Sequence, residues 1–164
     1  MTKDGDLSEL VLISSSRNTS FARSITEYLN HQLIEVEQRD FNDADILRRI
    51  EDHESVRGKR VVLISTHEPP IPERMYEANI WLDVMVRGEA DDITIIFPYF
   101  PGARQDRKRR RGEPMNIVAN INNLRGTAHD QVVRLRFMTA DLHSAQSQAL
   151  ATRFDNLSAM PLFI

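Results

Sequence analysis

Short apolar runs alternate along this chain with longer stretches in which apolar residues recur every three or four positions. Leu10-Val-Leu-Ile-Ser14 is a continuous apolar run of strand length, the pattern of a buried strand. Thr19 to His31 reads as a helix with Phe21, Ile25, Tyr28 and Leu29 on one face, and Asn30 suits its end. A second strand is expected over Leu33 to Arg39. Arg60-Val-Val-Leu-Ile-Ser-Thr66 is another, entered through the turn Arg57-Gly58-Lys59 and closed by Glu68-Pro69-Pro70. From Pro72 to Arg87 the stripe Met75, Ala78, Leu82 and Met85 predicts a helix, with Pro72 tolerated in its first turn and Gly88 as its stop. Ile93 to Phe97 is a further strand, Asn116 to Leu124 or slightly beyond a helix, and Val132 to Thr139 a strand with Asp141 and His143 at its carboxyl end.

Strand-then-helix alternation of this kind predicts an α/β fold, a three-layer sandwich around a mostly parallel sheet. Ligands of such sheets sit beyond the carboxyl ends of the strands. The polar groups that follow strands are therefore the candidates for a site: Ser14 to Arg17, Thr66 to Glu68, Pro98 to Arg104 and Asp141 to Gln146. The apolar group Leu157, Met160, Leu162, Phe163 and Ile164 needs cover. A last strand, continuation into another domain and packing on a partner chain are three ways to supply it.

At 164 residues the chain predicts one domain, and a domain of that size buries about 70% of its unfolded surface. With 41% hydrophobic and 27% charged residues it is far from disordered or fibrous compositions. The longest apolar runs are strand-sized, which disfavours a membrane span. Met1 to Ser8 lacks the pattern of an export signal, and there is no cysteine, so a cytoplasmic location is the default expectation. The net charge of -3 hides an asymmetry. Arg104, Arg107, Lys108, Arg109, Arg110 and Arg111 stand against Asp106, a local +5, while the remainder has 15 basic and 23 acidic residues. Concentrated positive charge of this kind attracts anions such as phosphates or nucleic acid.

Arginine suits phosphates through its planar fork of donors, and Arg104 with Gln105 lies just after a strand and a Pro-Gly turn. Asp141 and His143 are two apart, so an extended backbone would send both side chains to the same side, where they could share a ligand. Magnesium prefers oxygen, which makes Asp141 the natural contact, while a neutral His143 could donate to a phosphate or a metal-bound water. On spacing alone, a structural histidine is the better reading of His143. The run from Arg107 to Arg111 could also dock on nucleic acid, but it carries no interleaved aromatic and no DNA-binding pattern accompanies it.

Four segments together resemble the ribose-phosphate pyrophosphokinase (phosphoribosyl diphosphate synthetase) family: Phe97-Pro-Tyr-Phe-Pro-Gly-Ala-Arg-Gln-Asp-Arg-Lys108, Asp141-Leu-His-Ser-Ala-Gln146, Glu54-Ser-Val-Arg-Gly-Lys59 and Asp155-Asn-Leu157. Their order and spacing resemble the amino-terminal half of that family across nearly the whole chain. The resemblance implies a phosphoribosyltransferase-like fold and transfer of diphosphate from Mg-ATP to the 1-hydroxyl of ribose 5-phosphate. It assigns Arg104 and Gln105 to ATP, and His143 with Asp141 to Mg²⁺ at the phosphates. His143 and Arg104 are the catalytic candidates. Phe41-Asn-Asp-Ala-Asp45 matches the family's Phe-Ser-Asp-Gly-Glu segment in part, which implies adenine contacts from Phe41, Asp43 and Asp45 across a homo-oligomer interface. Ala44 there replaces a glycine and would resist a positive φ. No second acidic pair with a phosphate loop follows Asp155, so the carboxyl-terminal ribose-phosphate domain is expected to be absent and the chain inactive alone. Two other readings remain: a non-catalytic subunit associated with a full-length synthetase, and a nucleic-acid module built on Arg107 to Arg111.

Overall fold

In a computed structural model, residues 9–15, 19–66, 68–128 and 133–162 are described. The elements run β1 (Leu10–Ser14), α1 (Ser20–Tyr28), β2 (Val36–Asp40), β3 (Ile46–Ile50), β4 (Arg60–Ile64), α2 (Ile71–Arg87), β5 (Asp92–Phe97), α3 (Asn116–Ala128), β6 (Arg134–Ala140), a 3-10 helix (Ala145–Leu150), β7 (Phe154–Leu157) and a final 3-10 turn (Met160–Leu162). Five strands form one wholly parallel sheet in the order β1-β4-β5-β6-β7, and β2 pairs with β3 as a separate antiparallel hairpin. This is the α/β fold that the alternation predicts.

Register explains the core. Val11, Val61, Ile93 and Leu135 lie side by side across the sheet, and Ile13, Leu63, Ile95 and Phe137 form the next row. Because side chains alternate along a strand, both rows face the same way. They pack in one cluster with Trp81, Leu82 and Met85 of α2 and Ile117, Ile121 and Leu124 of α3. Leu12 and Ile64, on the opposite pleat, are also buried, as is Ala22 of α1, but all three stay outside that cluster.

Helix α2 ends as the sequence predicts, although for a different reason. Gly88 has φ -73, and the left-handed residue is Glu89 at φ 60. Ala90 N–H donates to Met85 O (3.1 Å) and Glu89 N–H to Val86 O (3.0 Å), which closes the last turn. Glycine is required at position 88 by packing, since a Cβ there would stand 2.5 Å from Val56 Cγ2.

Three expectations are revised. Helix α1 buries Ala22 and Thr26, whereas Phe21 and Tyr28 are exposed, Tyr28 by 91%. The small side chains form the buried face and leave the larger apolar ones outside. The second strand starts at Val36 rather than Leu33, and a third strand, β3, follows it. Near the described carboxyl end the strand Phe154–Leu157 takes in only the first residue of the apolar group, and Leu157 and Met160 remain exposed. Phe163 and Ile164 lie outside the described residues, as do Ser16, Arg17, His67, His129 and Val132.

Candidate functional site at the carboxyl edge of the sheet

The loop after β5 is fixed from below by aromatic packing. Phe100, 1% exposed, lies with its ring centroid 5.2 Å from Phe97, 5.9 Å from Phe137 on β6 and 4.9 Å from Phe154 on β7. Burying a ring of that size stabilises by about 2 kcal/mol or more, so the loop sits at a set height above strands β5 to β7. Gly102 then turns at φ 80, where a Cβ would come within 3.0 Å of the Asn116 and Ile117 backbone. Asn120 Nδ2 donates to Pro101 O (3.0 Å), which ties the same turn to α3. Beyond it, Ala103 is buried and Arg104 emerges into solvent with its guanidinium 5.9 Å from the Tyr99 ring centroid.

Arg104 and Gln105 line two cavities. One, of 440 Å³, also has Ile71, Tyr99, Gly102 and Asn116 in its wall; the other, of 450 Å³, has Arg107, Arg109, Glu113 and Pro114. His143 lines a separate cavity of 290 Å³ with Asp106, Arg107, Arg109, Ser144, Gln146, Ser147 and Leu150. Arg104 and His143 therefore stand on the same edge without sharing a cavity, and Arg107 and Arg109 form the wall common to both sides. The six cations from Arg104 to Arg111 make no ion pair among the described residues. Glu113, the nearby carboxylate, instead accepts the backbone N–H groups of Arg109 (2.7 Å) and Arg110 (3.0 Å) and so fixes the turn.

Asp141 and His143 differ from the extended pair expected from their spacing. Strand β6 stops at Ala140, and Asp141 adopts φ 45. Its two carboxylate oxygens accept the N–H of Ala159 at 3.2 and 3.3 Å. Of the two, only His143 reaches the 290 Å³ cavity. The left-handed turn breaks the alternation on which the expectation rested.

The hairpin lies elsewhere. At its tip Ala44 has φ 67, the strained value that a glycine would relieve. Asp43 Oδ1 accepts Asp45 N–H (3.3 Å), Asp45 Oδ1 accepts Ile46 N–H (2.8 Å), and Arg39 stacks 5.0 Å from the Phe41 ring centroid. Phe41, Asp43 and Asp45 line none of the cavities that hold Arg104, Gln105 or His143. The hairpin is anchored by Arg48, which donates to Glu77 Oε1 (2.7 and 2.6 Å) and Asp40 Oδ1 (2.9 Å), while Arg74 holds the other Glu77 oxygen (2.6 Å).

Arg107, Arg109 and Gln146 enter the site from the basic run and the Asp141–Gln146 segment, whereas the sequence reading singles out neither Asp106 nor Ser147 as a site residue. Asp106 and Ser147 hydroxyl meet at 3.4 Å, across two loops far apart in sequence. Among the described residues no three His, Asp or Glu side chains converge as a metal cage. Magnesium needs no such cage when it arrives on phosphates, because one or two carboxylates and retained waters complete its shell. Asp106, in the wall of the His143 cavity, fits that sparse arrangement, whereas the Asp141 carboxylate is turned to Ala159 N–H.

A family model described as the N-terminal domain of ribose phosphate pyrophosphokinase matches residues 10–128. The chain belongs to the ribose-phosphate pyrophosphokinase family. It is 35% identical over 158 residues to the ribose-phosphate pyrophosphokinase of Thermotoga maritima, covering 94% of this chain and 47% of that protein. It is likewise 35% identical over 155 residues to a putative ribose-phosphate pyrophosphokinase 2 of Listeria monocytogenes, covering 94% of this chain and 48% of that one. The phosphoribosylpyrophosphate synthetase of Mycobacterium smegmatis has the same fold, with a TM-score of 0.87 and 29% identity, over 94% of this chain and 50% of that one. The pyrophosphokinase domain described above thus spans about half the length of these relatives. No helix among its described residues is long and apolar enough to cross a membrane.

Proposed function

We propose that this chain is the Mg-ATP-binding half of a ribose-phosphate diphosphokinase, which transfers diphosphate from ATP to the 1-hydroxyl of ribose 5-phosphate and releases AMP. The observation that carries this reading is the shared wall of Arg107 and Arg109 between the His143 cavity and the Arg104–Gln105 cavity. A triphosphate laid across that wall meets guanidinium groups on both sides. Phosphoryl transfer depends on positioning and charge neutralisation more than on covalent help from the protein, and unpaired arginines on a fixed turn supply both.

In the complete site the 1-hydroxyl oxygen forms a bond to the β-phosphorus and gives up its proton to solvent, while the bond from that phosphorus to the oxygen bridging it to the α-phosphate breaks, and AMP leaves with the electron pair. Arg104 binds phosphate oxygens through its fork of donors and balances charge that accumulates toward the leaving group. Gln105 orients the nucleotide beside it. His143 donates a hydrogen bond from its imidazole to a phosphate oxygen or to a water in the magnesium shell. Asp106, which lines the His143 cavity, would hold Mg²⁺ through that shell, and the ion supplies charge neutralisation on the transferred group.

Calorimetric titration of the 164-residue chain with Mg-ATP tests the binding half of this proposal. Charge-assisted contacts to phosphate are worth about 1.5–3 kcal/mol, so Arg104→Ala and His143→Ala should each weaken binding by roughly ten-fold or more. A coupled assay for AMP release with ribose 5-phosphate should show no turnover by this chain alone, and steady turnover would overturn that part.

A second reading, a non-catalytic subunit that assembles with a full-length synthetase, is favoured by the hairpin. Phe41, Asp43 and Asp45 lie away from this chain's own Arg104 and His143 cavities, so any adenine contact from them falls to another subunit, in a homo-oligomer or a mixed one. It predicts mixed oligomers in light scattering and Mg-ATP binding indifferent to His143→Ala.

A further inference from the structure

On the reading that His143 contacts nucleotide phosphates, we infer that Asn156 is a positioning residue that aims His143 into its cavity. The imidazole makes no hydrogen bond among the described residues, and His143 is exposed. Its direction is therefore set by the backbone that carries it. That backbone leaves β6 at Ala140 and turns through Asp141 at φ 45, a conformation that neighbouring contacts must hold in place.

Those contacts come from one segment, the exit of β7. Asp141 N–H donates to Leu157 O at 2.9 Å, the last rung the two strands share. Leu142 N–H, in the Asp141–Leu142 peptide one residue before His143, has turned away from the ladder and donates instead to Asn156 Oδ1 at 2.9 Å. Ala159 N–H closes the arrangement on the Asp141 carboxylate. Asn156 thus extends the pairing of β6 and β7 by one rung with a side-chain carbonyl, at the Asp141–Leu142 peptide that leads into His143. It lines none of the cavities that hold His143 or Arg104, so its effect passes through Leu142.

Strand β7 has other anchors, which lets the contact be removed without unfolding the strand. Phe154 is buried against Phe100 and Phe137, Asp155 pairs with Arg136 at 2.6 Å, and Gln148 Nε2 donates to Phe154 O at 2.8 Å. The short edge strand β7 accordingly has a use beyond the core, as the frame for the loop that follows β6.

The test uses the isotopically labelled 164-residue chain. Asn156→Leu keeps the size and removes the acceptor, whereas Asn156→Asp keeps an acceptor oxygen. The leucine variant should show amide exchange at Leu142 faster by about ten-fold, an altered His143 imidazole Hε1 response to Mg-ATP, and Mg-ATP affinity lower by about ten-fold. Its melting midpoint should stay within about 4 °C of the parent. Asn156→Asp should restore the Leu142 exchange rate and the Hε1 response. Unchanged exchange and an unchanged Hε1 response in Asn156→Leu would overturn the inference, as would a loss of affinity that tracks unfolding and is not restored by aspartate. His143→Ala is the control for the underlying reading. If that variant binds Mg-ATP like the parent, the nucleotide assignment fails, while the Leu142 exchange rate, measured without nucleotide, still decides whether Asn156 holds that turn.

Discussion

Left-handed backbone marks two of the places where this chain departs from what side-chain periodicity alone encodes. Ala44 and Asp141 both have positive φ without being glycine. At Asp141 the strain is offset by the hydrogen bonds to Leu157, Asn156 and Ala159. At Ala44 only the hairpin turn itself, through Ala44 N–H to Phe41 O at 3.0 Å, holds the residue. Because a non-glycine residue in that region costs about 1–2 kcal/mol and glycine recovers part of it, Ala44→Gly should stabilise the chain by roughly 0.5–1 kcal/mol in urea unfolding. Loss of stability in that variant would mean the Ala44 methyl makes a contact worth more than the strain.

Among elements, the β2–β3 hairpin depends most on a single polar cluster. Arg48 is buried in the middle of β3 and satisfied by Glu77, Asp40 and backbone carbonyls. Removing one partner of a buried pair costs about 3–5 kcal/mol, because the other charge is left without compensation. Arg74 still holds Glu77, so Arg48→Met should cost near the lower end, about 3 kcal/mol. Arg48→Met combined with Glu77→Leu should cost less than the sum of the two single changes, and chemical denaturation of all four proteins closes that cycle. Strict additivity would show that Arg48 and Glu77 act independently. The cluster also explains why β3 is hard to read from sequence. Ile46-Leu-Arg-Arg-Ile50 places a cation where a strand pattern calls for an apolar residue, and only α2, which supplies Glu77 and Arg74, makes that position a buried one.

For the whole molecule, charge is separated more sharply than the net value suggests. The +5 segment faces a remainder of -8, and its turn is fixed by Glu113 without being neutralised by it. Mg-ATP binding should therefore weaken several-fold between about 50 and 200 mM salt, as screening shortens the range of the field. Lys108, Arg110 and Arg111 line neither the His143 cavity nor the Arg104–Gln105 cavity beside it. Changing Arg110 and Arg111 together to Glu should flatten the salt response while leaving direct phosphate contacts in place. A titration series with the same slope as the parent would show that the outer cations do not contribute to the field at the site.

What the sequence determined was the order and type of most elements, since β1, β4, α2 and β5 depend on local runs whose burial follows from their own periodicity. The basic loop and the Asp141–Gln146 segment were also legible at the sheet edge, because both follow strands. Tertiary structure decided the rest. It placed Phe100 on Phe137 and Phe154 and so set the height of the Arg104 loop. It turned α1 so that Ala22 and Thr26 face inward, and it put Arg104 and His143 on opposite sides of Arg107 and Arg109. Those outcomes depend on contacts between residues distant along the chain, and hydrophobic spacing within a segment carries no information about which distant partner it will meet.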